Sequence, residues 1–123
     1  PDFVRKAVGN RANMVVHLVN DNWFGRTAAP EQHNMASVLR AVENHVPVVI
    51  ASNTGPSEII DSYGKVLTKT PALFKSGIVS AEVSVPATKT FYNRYGNVFA
   101  FFCILATLFL LAVRFFISFR NRR

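Results

Sequence analysis

The sequence predicts an α/β domain followed by one transmembrane helix, and three observations carry that prediction. Two short apolar runs rich in β-branched residues, "MVVHLV" and "PVVIAS", flank a stretch whose apolar residues recur at helical spacing. Clusters of turn-forming residues, "NTGPS" and "SYGK", punctuate the chain after the second run. Residues 98–113 then contain no charge, with Thr107 their one polar side chain, and "FFISF" extends the run beyond Arg114.

Taken in order, residues 3–12 read as a short basic helix ending near Gly9-Asn10. Residues 14–19 are continuous and apolar, as a strand buried on both faces requires. After the loop "NDNWFG", Pro30 suits a first helical turn and Glu31 suits its positive dipole end, which predicts a helix over residues 30–45. Met35, Val38, Leu39 and Val42 are expected to form its apolar face. "PVVIAS" is a second buried strand, "EIID" and "KVLTK" form a hairpin around Gly64, and "SGIVSAEVSV", residues 76–85, reads as a further strand. Residues 1–97 are therefore expected to form part of a domain with an incomplete core and open sheet edges. The chain begins without Met or a signal peptide and reads as the C-terminal piece of something longer.

Residues 98–119 span roughly 33 Å as a helix, enough for a hydrocarbon core of about 30 Å. Arg114 lies five residues before Phe119, so its guanidinium can reach the headgroups while the phenyl rings stay in lipid. Arg114, Arg120, Arg122 and Arg123 gather at one end against Lys89 and Arg94 at the other. The positive-inside rule then places residues 120–123 in the cytoplasm as a basic tail, and residues 1–97 on the opposite side.

The net charge of +7 owes much to those four arginines. The remaining mild excess shows no basic-aromatic cluster of the kind that tracks nucleic acid, so no nucleic-acid role is expected. Cys103, the one cysteine, falls inside the apolar segment and reads as a packing residue, with no disulfide to form within the chain. His17, His33 and His45 lack metal-ligand spacing, there is no G-x-S-x-G elbow, and neither metal nor cofactor is expected. Arg40 and Glu43 read as an i, i+3 ion pair and Asp21 as a turn cap. Trp23 and Phe24 are open to two readings, core packing or the wall of a binding pocket.

In combination, "NDNWFG", "PEQHNMA", "LRAVENHVPVVIASNTGPSEIIDSYGKVL" and "SGIVSAEVSV", followed by a terminal membrane helix, resemble the C-terminal end of the bacterial apolipoprotein N-acyltransferase family. The likeness runs over nearly the whole chain. "NDxWFG" with "QH" downstream is the specific part, whereas "RAxEN" and "SNTGxS…IDxxGK" are shared with the wider nitrilase superfamily. Ile50, and His45 with Val46, depart from the family pattern, which more often has basic residues there.

The resemblance implies a carbon–nitrogen hydrolase (nitrilase-like) domain of α-β-β-α sandwich architecture, set between transmembrane helices of the bacterial inner membrane. It implies transfer of an acyl chain from a phospholipid, through a Cys thioester, to the α-amino group of a lipidated apolipoprotein. The family's Glu base, oxyanion-stabilising Lys and nucleophilic Cys have no counterpart in this chain. The Cys would fall about six residues before Pro1, so residues 1–123 alone are expected to be inactive. The residues of this chain would play supporting parts: Asn20 fixing loop geometry, Trp23 and Phe24 walling an acyl-sized pocket, Ser52, Asn53 and Thr54 forming its polar side, and His33 orienting the loop. A membrane-tethered nitrilase-like amidase and a non-enzymatic single-span protein are the alternatives.

Overall fold

A computed structural model describes residues 1–86 and 88–120. Its elements run α1 (Asp2–Gly9), β1 (Val15–Val19), a 3-10 turn (Asn22–Phe24), α2 (Ala29–Asn44), β2 (Val48–Ser52), β3 (Glu58–Ile60), β4 (Val66–Lys69), α3 (Phe91–Tyr95) and α4 (Val98–Arg120). The mixed α/β character, the buried strand β2, the intervening helix and the hairpin agree with the sequence prediction. β1 forms where expected but is not buried, because it is the edge strand: only the Val15, His17 and Val19 side is partly covered by the core and α2, while Val16 and Leu18 are exposed.

The four strands form one sheet in the order β1-β2-β3-β4. β1 and β2 are parallel, a pairing that needs a crossover connection, which α2 supplies, with Val19 opposite Ser52. β2, β3 and β4 continue antiparallel. In the β3–β4 turn the Asp61 carboxylate accepts from the backbone N–H groups of Tyr63 (2.9 Å) and Lys65 (2.8 Å). Gly64 sits there at φ +85, and a Cβ would meet Val42 at 2.6 Å, so both backbone and packing demand glycine.

α2 covers one face of the sheet. Ala41, Val48, Ile50 and Ile60 form the buried core, joined by Val15, Val19 and Val38. Removing side chains of the Val48, Ile50 and Ile60 kind from water stabilises by roughly 1.5–3 kcal/mol apiece. A second cluster of Val4, Val8 and Val46 fastens α1 alongside.

Two further expectations are corrected. The buried side of α2 carries Pro30, Asn34, Ser37, Ala41 and Asn44, while Met35, Leu39 and Val42 of the predicted apolar face are exposed. Small residues let the helix lie close to the sheet, and the polar ones are bonded: Asn34 Nδ2 donates to the Pro56 carbonyl at 2.8 Å, and Ser37 bonds His17 at 2.8 Å. Residues 76–85 do not form a strand. A strand exists through cross-strand hydrogen bonds, and among the described residues this segment makes none to the sheet, so β-propensity alone does not make it a strand, and Ile78 is 98% exposed.

α4 is 23 residues long, has a mean hydropathy of 2.5 over its most apolar window, and is long and apolar enough to cross a membrane. None of its residues is buried within the chain. Arg122 and Arg123 of the expected basic tail lie outside the described residues.

Candidate functional site

Because β1 and β2 are parallel, the loops leaving their carboxyl ends emerge side by side, the place where open α/β sheets bind ligands. The Val19–Ser52 register sets Asn20 beside Asn53. Asn53 Nδ2 donates to Asn20 Oδ1 at 2.8 Å, the Asn53 N–H continues the ladder to the Val19 carbonyl at 3.3 Å, and the Asp21 N–H donates to Asn53 Oδ1 at 3.1 Å. Two loops more than thirty residues apart in sequence are thereby stitched into one surface.

Asp21 is the hub. Its side chain is 1% exposed and accepts from the Ser52 hydroxyl at 3.2 Å and from His33 Nδ1 at 3.0 Å. Ser52 Oγ in turn accepts the Gly55 N–H at 2.9 Å. The carboxylate is an acceptor, so the His33 proton lies on Nδ1 and Nε2 is left as the second ring position. This is not a serine triad: the Ser52 hydroxyl proton is directed at Asp21 rather than at an imidazole. Gly55 completes the packing, since a Cβ there would lie 2.8 Å from Asp21 Oδ2, 3.0 Å from Ser52 Oγ and 3.1 Å from Pro30 Cβ.

Above this polar floor stand two aromatic rings. The 3-10 turn of residues 22–24 closes through the Phe24 N–H to the Asp21 carbonyl at 3.0 Å and ends at Gly25, whose φ of +58 with ψ −152 suits glycine. Trp23 is 79% exposed and Phe24 37%, their rings edge to face at 6.5 Å, and Phe24 meets the His33 ring edge-on at 6.2 Å. The aromatic pair, His33, Asp21, Asn20 and residues 16–19 of β1 line an open concavity of about 640 Å³. Its floor includes Leu18, 82% exposed, on the sheet face away from α2. An exposed indole and leucine beside buried polar groups make a surface suited to an apolar chain carrying a polar head.

His17 also borders this concavity and is bonded to Ser37 of α2. Burial holds its pKa below the ordinary imidazole value, with the charges of His33 and Arg40 adding in the same direction. Arg40 and Glu43 pair at 3.0 Å. Among the described residues no three His, Cys, Asp or Glu side chains are grouped to hold a metal ion.

Comparison with known proteins bears directly on this geometry. Residues 1–92 match the model of the carbon-nitrogen hydrolase family. The chain belongs to that family. It is 44% identical over 115 residues, 94% of its length, to apolipoprotein N-acyltransferase of Geobacter metallireducens, and 33% identical over 115 residues, 93% of its length, to that of Rhodopseudomonas palustris. A relative of the same name from Bdellovibrio bacteriovorus is 35% identical over 98 residues, 79% of the chain. The chain spans about a fifth of the length of these curated relatives: 22%, 21% and 18%.

Within this carbon-nitrogen hydrolase chain, six of the seven residues singled out from sequence, Asn20, Trp23, Phe24, His33, Ser52 and Asn53, converge on one patch. Thr54 bonds Asn53 Oδ1 at 3.3 Å and sits at its margin. Sequence reasoning missed the weight of Asp21, read as a turn cap, and of Gly55, read as turn punctuation. The available signal for Asp21 was a carboxylate flanked by two Asn directly after an apolar strand; nothing local marked the close approach at Gly55.

Proposed function

We propose that the intact protein is an apolipoprotein N-acyltransferase, and that residues 1–97 are the C-terminal part of its carbon–nitrogen hydrolase domain, residues 98–119 a membrane span and residues 120–123 a cytoplasmic tail. The single observation that carries this reading is the aromatic, hydrogen-bonded patch at the carboxyl edge of β1 and β2, beside an edge strand whose outer side is free among the described residues. The similarity to relatives bearing that name supports it.

In this reading a Cys supplied by chain preceding Pro1 attacks the ester carbonyl of a phospholipid. The C–O bond breaks, the lysophospholipid leaves with a proton, and an acyl thioester remains. The α-amino group of the lipidated apolipoprotein then attacks, forming the amide C–N bond and releasing the thiol. A Glu base and a Lys facing the oxyanion, both also upstream, serve the two steps. Trp23, Phe24 and Leu18 hold the acyl chain and keep water from the thioester. The Asp21–Ser52–His33–Asn53 network holds the two loops rigid; its members are positioning residues, with Asn20, Ser52, Asn53 and Thr54 forming the polar wall. The hydrolase domain faces the periplasmic side of the inner membrane, and the C-terminus is cytoplasmic.

The test is direct. Intact protein in detergent micelles, given phospholipid and a diacylglyceryl-modified peptide, should convert the peptide to its N-acylated form, read by mass spectrometry, and residues 1–123 alone should not. Hydrolysis of small amides without acylation of the peptide would instead establish the tethered-amidase alternative.

A further inference from the structure

We propose that α3 is an interfacial anchor, in which the exposed Phe91–Tyr95 ring pair, with Arg94 and Lys89, seats the domain on the headgroup layer of the bilayer crossed by α4. The proposal rests on the membrane-span reading of α4 and goes beyond it by assigning a lipid-contacting surface to the folded domain.

A five-residue helix has no stability of its own, yet α3 is firmly held. Thr90 caps it, accepting the Asn93 N–H at 2.9 Å while its hydroxyl donates to the Glu43 carbonyl. Asn93 is buried, and its amide donates to the Arg5 carbonyl at 3.2 Å and to Asn44 Oδ1 at 3.1 Å, tying α3 to both α1 and α2. Gly96, at φ +66, lies against the Arg5 guanidinium, which would stand 3.3 Å from a Cβ.

The other side of this fastened turn presents apolar rings to the outside. Phe91 is 66% and Tyr95 59% exposed, with ring centroids 4.7 Å apart. Arg94 is exposed, and its guanidinium makes no ion pair or hydrogen bond among the described residues. Lys89 reaches the Gly9 carbonyl at 3.2 Å, and residues 88–97 contain no carboxylate to balance either cation. Two exposed rings and uncompensated positive charge on a rigid turn are the composition of a membrane–water boundary, where aromatic rings sit at headgroup level and cations meet lipid phosphate.

Position decides the partner. α4 begins three residues after Tyr95, and its 23 residues rise about 34 Å, filling a hydrocarbon core of about 30 Å with little to spare. Val98 therefore lies at the hydrocarbon boundary and α3 within headgroup depth. α2 links this foot to the candidate site: Asn44, bonded to Asn93, closes its last turn and His33 stands near its start, roughly 16 Å apart along the axis. Seating α3 thus fixes how the acyl-binding patch is presented to the membrane.

The test uses the intact protein in vesicles of phosphatidylethanolamine and phosphatidylglycerol, with the photoreactive residue p-benzoylphenylalanine in place of Phe91, Tyr95, Phe109 or Met35. Irradiation followed by mass spectrometry should give lipid adducts at 91, 95 and 109 and none at 35. Adducts at 109 alone, or adducts at 91 and 95 to protein rather than lipid, overturn the anchor and leave the membrane span standing. Loss of lipid adducts at 109 as well as at 91 and 95 overturns both.

Discussion

Replacing Gly55 with Ala tests whether the candidate site is held by close packing around Asp21. The φ of Gly55 is not in the left-handed region, so the backbone tolerates alanine and the whole penalty is steric. The added methyl would lie 2.8 Å from Asp21 Oδ2, a buried oxygen already bonded to Ser52. Overpacking of this kind costs about 1–3 kcal/mol, and displacing a hydrogen bond to a charged group about 1.5–3 kcal/mol, so a loss of about 3 kcal/mol is expected. For a domain of 150–250 residues that lowers Tm by about 6–12 °C, measurable by scanning fluorimetry of the intact protein in detergent. Asp21→Ala alone should cost a similar amount, because it leaves the Ser52 hydroxyl without its acceptor. The double variant should fall well short of the sum, by about 2 kcal/mol, since truncating Asp21 removes the nearest clash. Gly9→Ala is the control: nothing lies within 4 Å of a Cβ there, and alanine near the end of α1 should stabilise by about 0.5–1 kcal/mol. If Gly55→Ala matches Gly9→Ala, or if the Gly55 and Asp21 losses simply add, the packed hub around Asp21 is wrong.

Three further outcomes are expected. Trp23→Ala should leave Tm nearly unchanged, because the ring is largely exposed, while lowering kcat/KM for acyl transfer about tenfold or more; unchanged kcat/KM would remove the indole from the acyl pocket. His17 has a folded pKa below its unfolded value of about 6.5, so between the two the unfolded chain binds more protons and stability rises with pH. Acidification from pH 7 through that window should therefore lower Tm, and His17→Gln should flatten the dependence; an equal slope in both proteins would show that other groups set it. Finally, alkaline phosphatase fused after Arg123 should stay inactive and a fluorescent protein fused there should fluoresce, as a cytoplasmic C-terminus requires, whereas the reverse pattern would invert the proposed topology.

Much of the architecture is legible along the chain. The span of α4 comes from uninterrupted apolar length, and β1, α2, β2 and the β3–β4 hairpin come from periodicity and turn chemistry, because each of those signals acts between near neighbours. The gathering of Asn20, Trp23, His33 and Asn53 is legible through family resemblance rather than through any local pattern. Where local reading fails, a neighbour distant in sequence decides the outcome. The apolar stripe of Met35, Leu39 and Val42 has ideal helical spacing, yet the sheet takes the smaller face of Asn34, Ser37 and Ala41, whose polar members find partners on β1 and the β2–β3 loop. Residues 76–85 have strand composition and no ladder to join.

Local residue pattern thus suffices for the order of elements from α1 to β4 and for the apolar terminal helix, but not for the segment between them, where the pattern predicts a strand and α3 is found. The hub around Asp21 needs the folded chain. The Val19–Ser52 register sets Asn20 against Asn53 and brings Ser52 to Asp21, while α2 supplies His33 and the β2–β3 loop brings Gly55 so near that a Cβ would stand 2.8 Å from the same carboxylate. Contacts between residues from twelve to more than thirty positions apart are set by how strands pair and how a helix crosses them, and no local pattern of residues encodes that.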